Sequence, residues 1–261
     1  MSPNAALRDV LQRYCRREIT EDEALQTIEG LRIEIVGDMA RIDAGRGVRC
    51  GMPEVVLAEG KTPELLADIM IAQLATAGRC IATRASPEHA AAVRARVQQT
   101  GITFEYREAA RALILSTAPP PQPRGGVVGI LTAGTTDIPV AEEARLIAEE
   151  MGCEVRTAFD VGVAGIHRLF PALRHLLDAH VLIVAAGREG TLPTIVAGLV
   201  DRPVIGLPVS TGYGHMGNGE AALASMLQSC AVLGTVNIDA GFVAGALAAR
   251  IANMAAGGGR E

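Results

Sequence analysis

The chain has 261 residues, 49% of them apolar, enough to bury a full hydrophobic core or to divide into two domains. A net charge of -5, no tryptophan and 3% aromatic residues leave neither a basic groove nor a row of stacking rings, which argues against a nucleic-acid binder. No apolar run approaches the ~18 residues of a membrane span and no leader-like pattern opens the chain, so a cytoplasmic protein is expected.

In chain order, the stretch from Leu7 to Ile28 carries apolar residues at helical spacing. Thr20, followed by Glu23, forms a capping box that restarts the helix, so a helical hairpin is predicted. The strand-like runs EVVLAEG (54–60), GRCIATR (78–84) and RALILST (111–117) then alternate with helical segments over 62–78 and 86–101. Both of these helices open on Thr or Ser, then Pro, then Glu: an N-cap, a proline in the first turn and an acid on the dipole. A small helical plus α/β domain is predicted over 1–118. The proline-rich stretch between Ser116 and Gly126 stiffens the chain and marks a linker at 119–125, with a second domain over 126–261.

The second domain alternates cleanly. GVVGILTAG (126–134), CEVRTAFD (153–160), VLIVAAG (181–187), PVIGLPV (203–209) and TVNID (235–239) are Val- and Ile-rich strands, each followed by a helical segment. This is the pattern of a doubly wound parallel sheet in a three-layer α/β/α sandwich. Ligands of such sheets bind beyond the carboxyl ends of the strands, so the residues just after each strand are the first to weigh.

After the first strand, Thr136 or Asp137 is placed to cap the next helix. The same hydroxyl-bearing turn suits one phosphate or carboxylate, and composition leaves the two readings open. Neither common glycine-rich nucleotide loop is present. After the second strand, His167 and Arg168 bring an imidazole and a guanidinium to a helix opening. That pairing is more suggestive than His175 or His180 in the polar segment that follows. After the third, the glycines around Glu189 let backbone approach a ligand and set an acid on the binding edge. After the fourth, the glycine-rich stretch from Pro208 to Glu220 offers Ser210, Tyr213 and His215 on a loop suited to closing over a ligand. The five cysteines, Cys15, Cys50, Cys80, Cys153 and Cys230, are odd in number and lack a C-x-x-C pair, so they read as free thiols. By residue type alone, Cys230 is a core filler more often than a nucleophile.

Together these motifs resemble the LarB family of nickel-pincer nucleotide cofactor biosynthesis, whose C-terminal half is similar to PurE, the aminoimidazole ribonucleotide (AIR) carboxylase or mutase. The resemblance rests on GMPEVVLAEGKTPE (51–64), TAGTTDIPVAEEA (132–144), DVGVAGIHRL (160–169), the stretch from Ala185 to Gly214, and LQSCAVLGTVNIDAGF (227–242). The T-D-x-P-V-A turn and the His-Arg pair are shared in outline with PurE; the N-terminal domain and the Ser-Cys before the last strand are not. Thr136 stands where the family more often has serine, and Arg188, His215 and Leu233 are atypical.

The resemblance implies carboxylation at C5 of the pyridinium ring of nicotinic acid adenine dinucleotide, with carbon dioxide or bicarbonate as co-substrate, and hydrolysis of the phosphoanhydride. It makes Cys230 the thiolate that adds to the ring and Glu189 the proton acceptor. It makes Thr135, Thr136, Asp137, Asp160, His167, Arg168, Gly187, Gly190 and Tyr213 the substrate contacts. Magnesium often serves phosphoanhydride hydrolysis, yet the sequence shows no compact carboxylate cluster, and the metal requirement stays open. Cys230 precedes the fifth strand and so belongs at the amino edge of the sheet, opposite the other candidates. A site completed across a subunit interface is therefore expected, in a homo-oligomer that analogy with PurE makes an octamer. Two rivals remain: a purine-pathway carboxylase or mutase that needs no thiol, and a nucleotide-binding protein without turnover.

Overall fold

The computed structural model describes residues 3–36 and 40–257; the outermost residues assigned above to the two domains, 1–2 and 258–261, lie outside the described residues. The chain forms two units, Met1–Arg107 with Arg111–Pro119, and Glu108–Ala110 with Pro120–Glu261.

The first unit opens with α1 (Pro3–Cys15) and α2 (Glu21–Gly30). At the start of α2, Glu23 N donates to Thr20 Oγ1 (3.2 Å) while Thr20 N donates to Glu23 Oε2 (2.8 Å), completing the expected capping box. A short antiparallel pair, β1 (Glu34–Val36) and β2 (Ala40–Ile42), leads to α3 (Arg46–Cys50). There follow β3 (Val55–Leu57), α4 (Pro63–Ala77), β4 (Arg79–Thr83), α5 (Pro87–Val97), β5 (Thr103–Arg107) and β6 (Ala112–Ser116). The sheet order is β3-β4-β6-β5, with β3 and β4 parallel and the other pairs antiparallel. Leu66, Met70 and Leu74 of α4 share one core with Ala82, Leu113 and Leu115 of the sheet. The sequence reading does not contain β5, because TFEYR carries charge within its alternation and buries no residue fully.

The second unit runs β7 (Val127–Thr132), α6 (Ile138–Glu150), β8 (Glu154–Ala158), α7 (Leu169–Arg174), β9 (Val181–Ala186), α8 (Thr191–Ala197), β10 (Val204–Pro208), α9 (Glu220–Leu227), β11 (Gly234–Thr235) and α10 (Gly241–Ala255). All strand pairs are parallel in the order β11-β10-β9-β7-β8, the doubly wound order with its switch point between β7 and β9. α7, α8 and α9 bury Leu173, Leu192, Val196 and Met226 against Leu182 and Val184 on one face of the sheet. α6 packs against α10. Glycine permits that contact at backbone distance: a Cβ on Gly245 would stand 2.3 Å from Ala144 O.

The fifth strand is shorter than the expected 235–239. Ladder pairing stops at Thr235, and Asp239, at φ +55°, turns the chain into α10 while its Oδ1 accepts from Ser210 N (2.9 Å). A polar Asn-Ile-Asp sequence serves this turn better than a continued strand.

Candidate active site

The carboxyl ends of β7, β9 and β10 converge on one buried carboxylate, that of Asp137, and the end of β8 is fastened to β7. β7 ends at the fully buried Thr132, whose Oγ1 accepts from Asp160 N (3.0 Å) and whose carbonyl accepts from Val161 N (3.0 Å), which fastens the exit of β8 to β7. The next residue, Ala133, donates its N–H to Ala185 O (2.9 Å) and so fastens the turn to β9. The chain then makes a 3-10 turn over Thr135–Asp137 before entering α6.

The structure corrects the capping role expected of Thr136 or Asp137. Neither side chain caps α6; the Asp137 carboxylate reaches backward, and its Oδ2 accepts from Gly134 N (2.8 Å). The reason is geometric, since the tight turn already carries Asp137 at helical angles, where its side chain cannot meet the first free amides of α6. The other oxygen, Oδ1, accepts from Thr211 Oγ1 (3.3 Å), which lies beyond β10 and also stands 3.5 Å from Thr136 Oγ1. Burial raises the pKa of this acid above its ordinary value, and the bonds from Gly134 and Thr211 oppose the rise.

Glycines make the convergence possible. A Cβ on Gly187 would meet Thr211 Oγ1 at 2.9 Å and Asp137 Oδ1 at 3.0 Å, and one on Gly212 would stand 2.6 Å from Gly187 O. Gly190, at φ +65°, opens α8, and a Cβ there would fall 2.5 Å from Ala222 O.

At the β8 end, Asp160 adopts φ +56° and its Oδ2 accepts from Arg168 Nη1 (2.6 Å). A Cβ on Gly165 would meet Arg168 Nε at 2.8 Å, so its absence leaves room for the guanidinium. The ion pair is solvent-exposed, contributes little to stability and serves to aim the arginine. His167 beside it is exposed. At the β9 end, Arg188 Nη1 donates to Tyr213 Oη (2.7 Å), and the exposed Glu189 accepts from Thr191 Oγ1 (3.3 Å). Thr135 and Thr136 are exposed on the turn.

Thus one edge of the sheet gathers Thr135, Thr136, Asp137, Asp160, His167, Arg168, Gly187, Glu189, Gly190 and Tyr213. Cys230 is not among them. It lies between α9 and β11, and Gly234 pairs with Ile205 near the start of β10, which places the cysteine at the amino edge. The thiol is exposed there; neighbouring Ser229 accepts from Thr194 Oγ1 (2.9 Å) and from Ala231 N (3.1 Å), holding the loop to α8. Sequence assigns no role to Thr132 and Thr211, which organise the site from within, although both lie in the motif stretches quoted above. Their only signal is a hydroxyl residue at or just beyond the end of an apolar strand.

Among the described residues no group of three or more His, Cys, Asp or Glu could hold a metal ion. No helix among them is long and apolar enough to cross a membrane.

Comparison with known proteins divides at the same place. Residues 33–117 match the family model of the LarB/PurE-like N-terminal domain, and residues 127–258 match that of AIR carboxylase. An uncharacterized protein of Methanocaldococcus jannaschii is 39% identical over 252 residues, covering 95% of this chain and 97% of that protein. The N5-carboxyaminoimidazole ribonucleotide mutase of the same organism is 33% identical over 129 residues, 48% of this chain and 78% of that protein. That of Thermotoga maritima is 32% identical over 132 residues, 48% of this chain and 73% of that protein.

Proposed function

Because this chain belongs to the LarB family and carries a PurE-like AIR carboxylase domain, we propose that it carboxylates nicotinic acid adenine dinucleotide and cleaves its phosphoanhydride. The products are pyridinium-3,5-biscarboxylic acid mononucleotide and AMP. The observation that carries this reading is an exposed cysteine, Cys230, on a loop fastened to the carboxylase domain.

A pyridinium ring is electron-poor, and its C5 does not attack carbon dioxide unaided. The Cys230 thiolate adds to C4, forming a C–S bond while a ring electron pair moves to nitrogen, and the resulting dihydropyridine is an enamine nucleophilic at C5. C5 then bonds to the carbon of carbon dioxide, leaving an iminium at C6. Removal of the C5 proton, assigned to Glu189, restores the enamine. The nitrogen lone pair finally expels the thiolate and returns the ring to aromaticity. The sequence is redox-neutral and releases one proton. Water then displaces AMP at phosphorus. In this scheme the Thr135 and Thr136 hydroxyls and the His167–Arg168 pair hold phosphate and carboxylate, with the turn braced from within by Asp137 and Arg168 aimed by Asp160.

Cys230 and Glu189 stand at opposite edges of the same sheet, and five-residue β10 alone spans roughly 13 Å. One subunit therefore does not assemble the site, and we assign the thiol to the cleft of a neighbouring copy in a homo-oligomer. The test is incubation with the dinucleotide and isotopically labelled bicarbonate, followed by mass spectrometry, beside Cys230→Ala. Labelled biscarboxylated mononucleotide and AMP are expected from the wild type, and no labelled product from the variant. The similarity to mutases over the C-terminal half supports a second reading, action on aminoimidazole ribonucleotide. Such activity would survive Cys230→Ser nearly intact.

A further inference from the structure

The contact between Arg188 and Tyr213 has no part in the chemistry above. Arg188 leaves the end of β9, and Tyr213 sits on the loop after β10. The guanidinium carbon lies 4.4 Å from the ring centroid, and Nη1 donates to the hydroxyl at 2.7 Å. Tyr213 is nonetheless 71% exposed, which leaves the ring face away from the guanidinium open to solvent. Two residues earlier on the same loop, Thr211 reaches Thr136 and Asp137, so the loop that carries the open ring is tied to the Thr135–Asp137 turn. The backbone beneath is closely fitted, because a Cβ on Gly212 would collide with Gly187 O and stand 3.3 Å from Arg188 Cα.

An exposed ring braced on one face by a cation is a stacking platform, and a guanidinium with one of its five N–H groups engaged keeps donors for a phosphate. A mononucleotide filling the Thr135–Asp137 turn has no use for a second platform. A dinucleotide does. We propose that Arg188 and Tyr213 form the subsite for the purine nucleotide half of the substrate, with the base on the open face of Tyr213 and its phosphate on Arg188. The proposal rests on the dinucleotide reading above and assigns its second half.

The test is binding of AMP, and separately of nicotinic acid mononucleotide, to the full chain by equilibrium dialysis, with folding checked by thermal melting. Tyr213→Leu and Arg188→Met should each weaken AMP roughly tenfold or more and leave the mononucleotide within about twofold. Tyr213→Phe keeps the ring and should keep most of the AMP affinity, which separates stacking from a latch that depends on the hydroxyl. Undiminished AMP binding in both variants, equal loss of both ligands, or wild-type protein that takes the mononucleotide but no AMP would each overturn the subsite. Wild-type protein that takes neither ligand overturns the dinucleotide reading with it. Selective AMP loss without any carboxylation overturns that reading and leaves the subsite standing.

Discussion

Asp137 shows how a single side chain ties two loops together. It is 3% exposed, and its two oxygens bind the turn after β7 and the loop after β10. Burial raises its pKa, so between the ordinary value of 3.8 and the raised folded value the native state holds more protons than the unfolded chain. The contribution of this group to stability is therefore greatest below that window and falls as pH rises through it. Asp137→Asn preserves an acceptor for Gly134 and a polar group for Thr211 but removes the charge. Its stability relative to wild type should rise across the window and stay level above it, as read from denaturant midpoints at a series of pH values. A relative stability that falls with rising pH would mean that the hydrogen bonds outweigh burial.

Among the elements, helices opening on Ser or Thr, then Pro, and strands as apolar as VLIVAA were legible because local chemistry and burial agree there. The helix starts at Thr62 and Ser86 follow the expected pattern, and at Ser86 the His89 ring adds a bond from Ser86 N. Less legible were β5, whose charges mask its alternation, and the end of β11, where tertiary contact through Asp239 decides the turn. At the site, residues placed after strands were legible by topology alone. Thr132 and Thr211 were not, since only the folded loops show that a hydroxyl there ties two strand ends together. The α6–α10 contact was equally hidden, because alanine and glycine in a helix carry no sign of what lies opposite. Gly245→Ala would set a methyl against Ala144 O and should cost about 1–3 kcal/mol by denaturant titration, although alanine is the better helix former.

At the scale of the whole molecule, the parallel sheet separates what the proposed chemistry must combine. If neighbouring copies bring the edges together, Cys230→Ala and a cleft variant such as His167→Ala, each inactive alone, should complement when dissociated and reassembled together. Random pairing returns about a quarter of the wild-type activity, since half the clefts are intact and half of those meet an intact thiol. Mixed samples as inactive as their parents would place the thiol and cleft within one subunit. The platform on the loop after β10 has an optical consequence. With no tryptophan and three tyrosines, Tyr14, Tyr106 and Tyr213, the chain's near-ultraviolet emission comes from a handful of rings, one of which stands on the candidate site. Occupation of that site should dim the native fluorescence without any attached dye, and Tyr213→Phe should erase the change while binding persists.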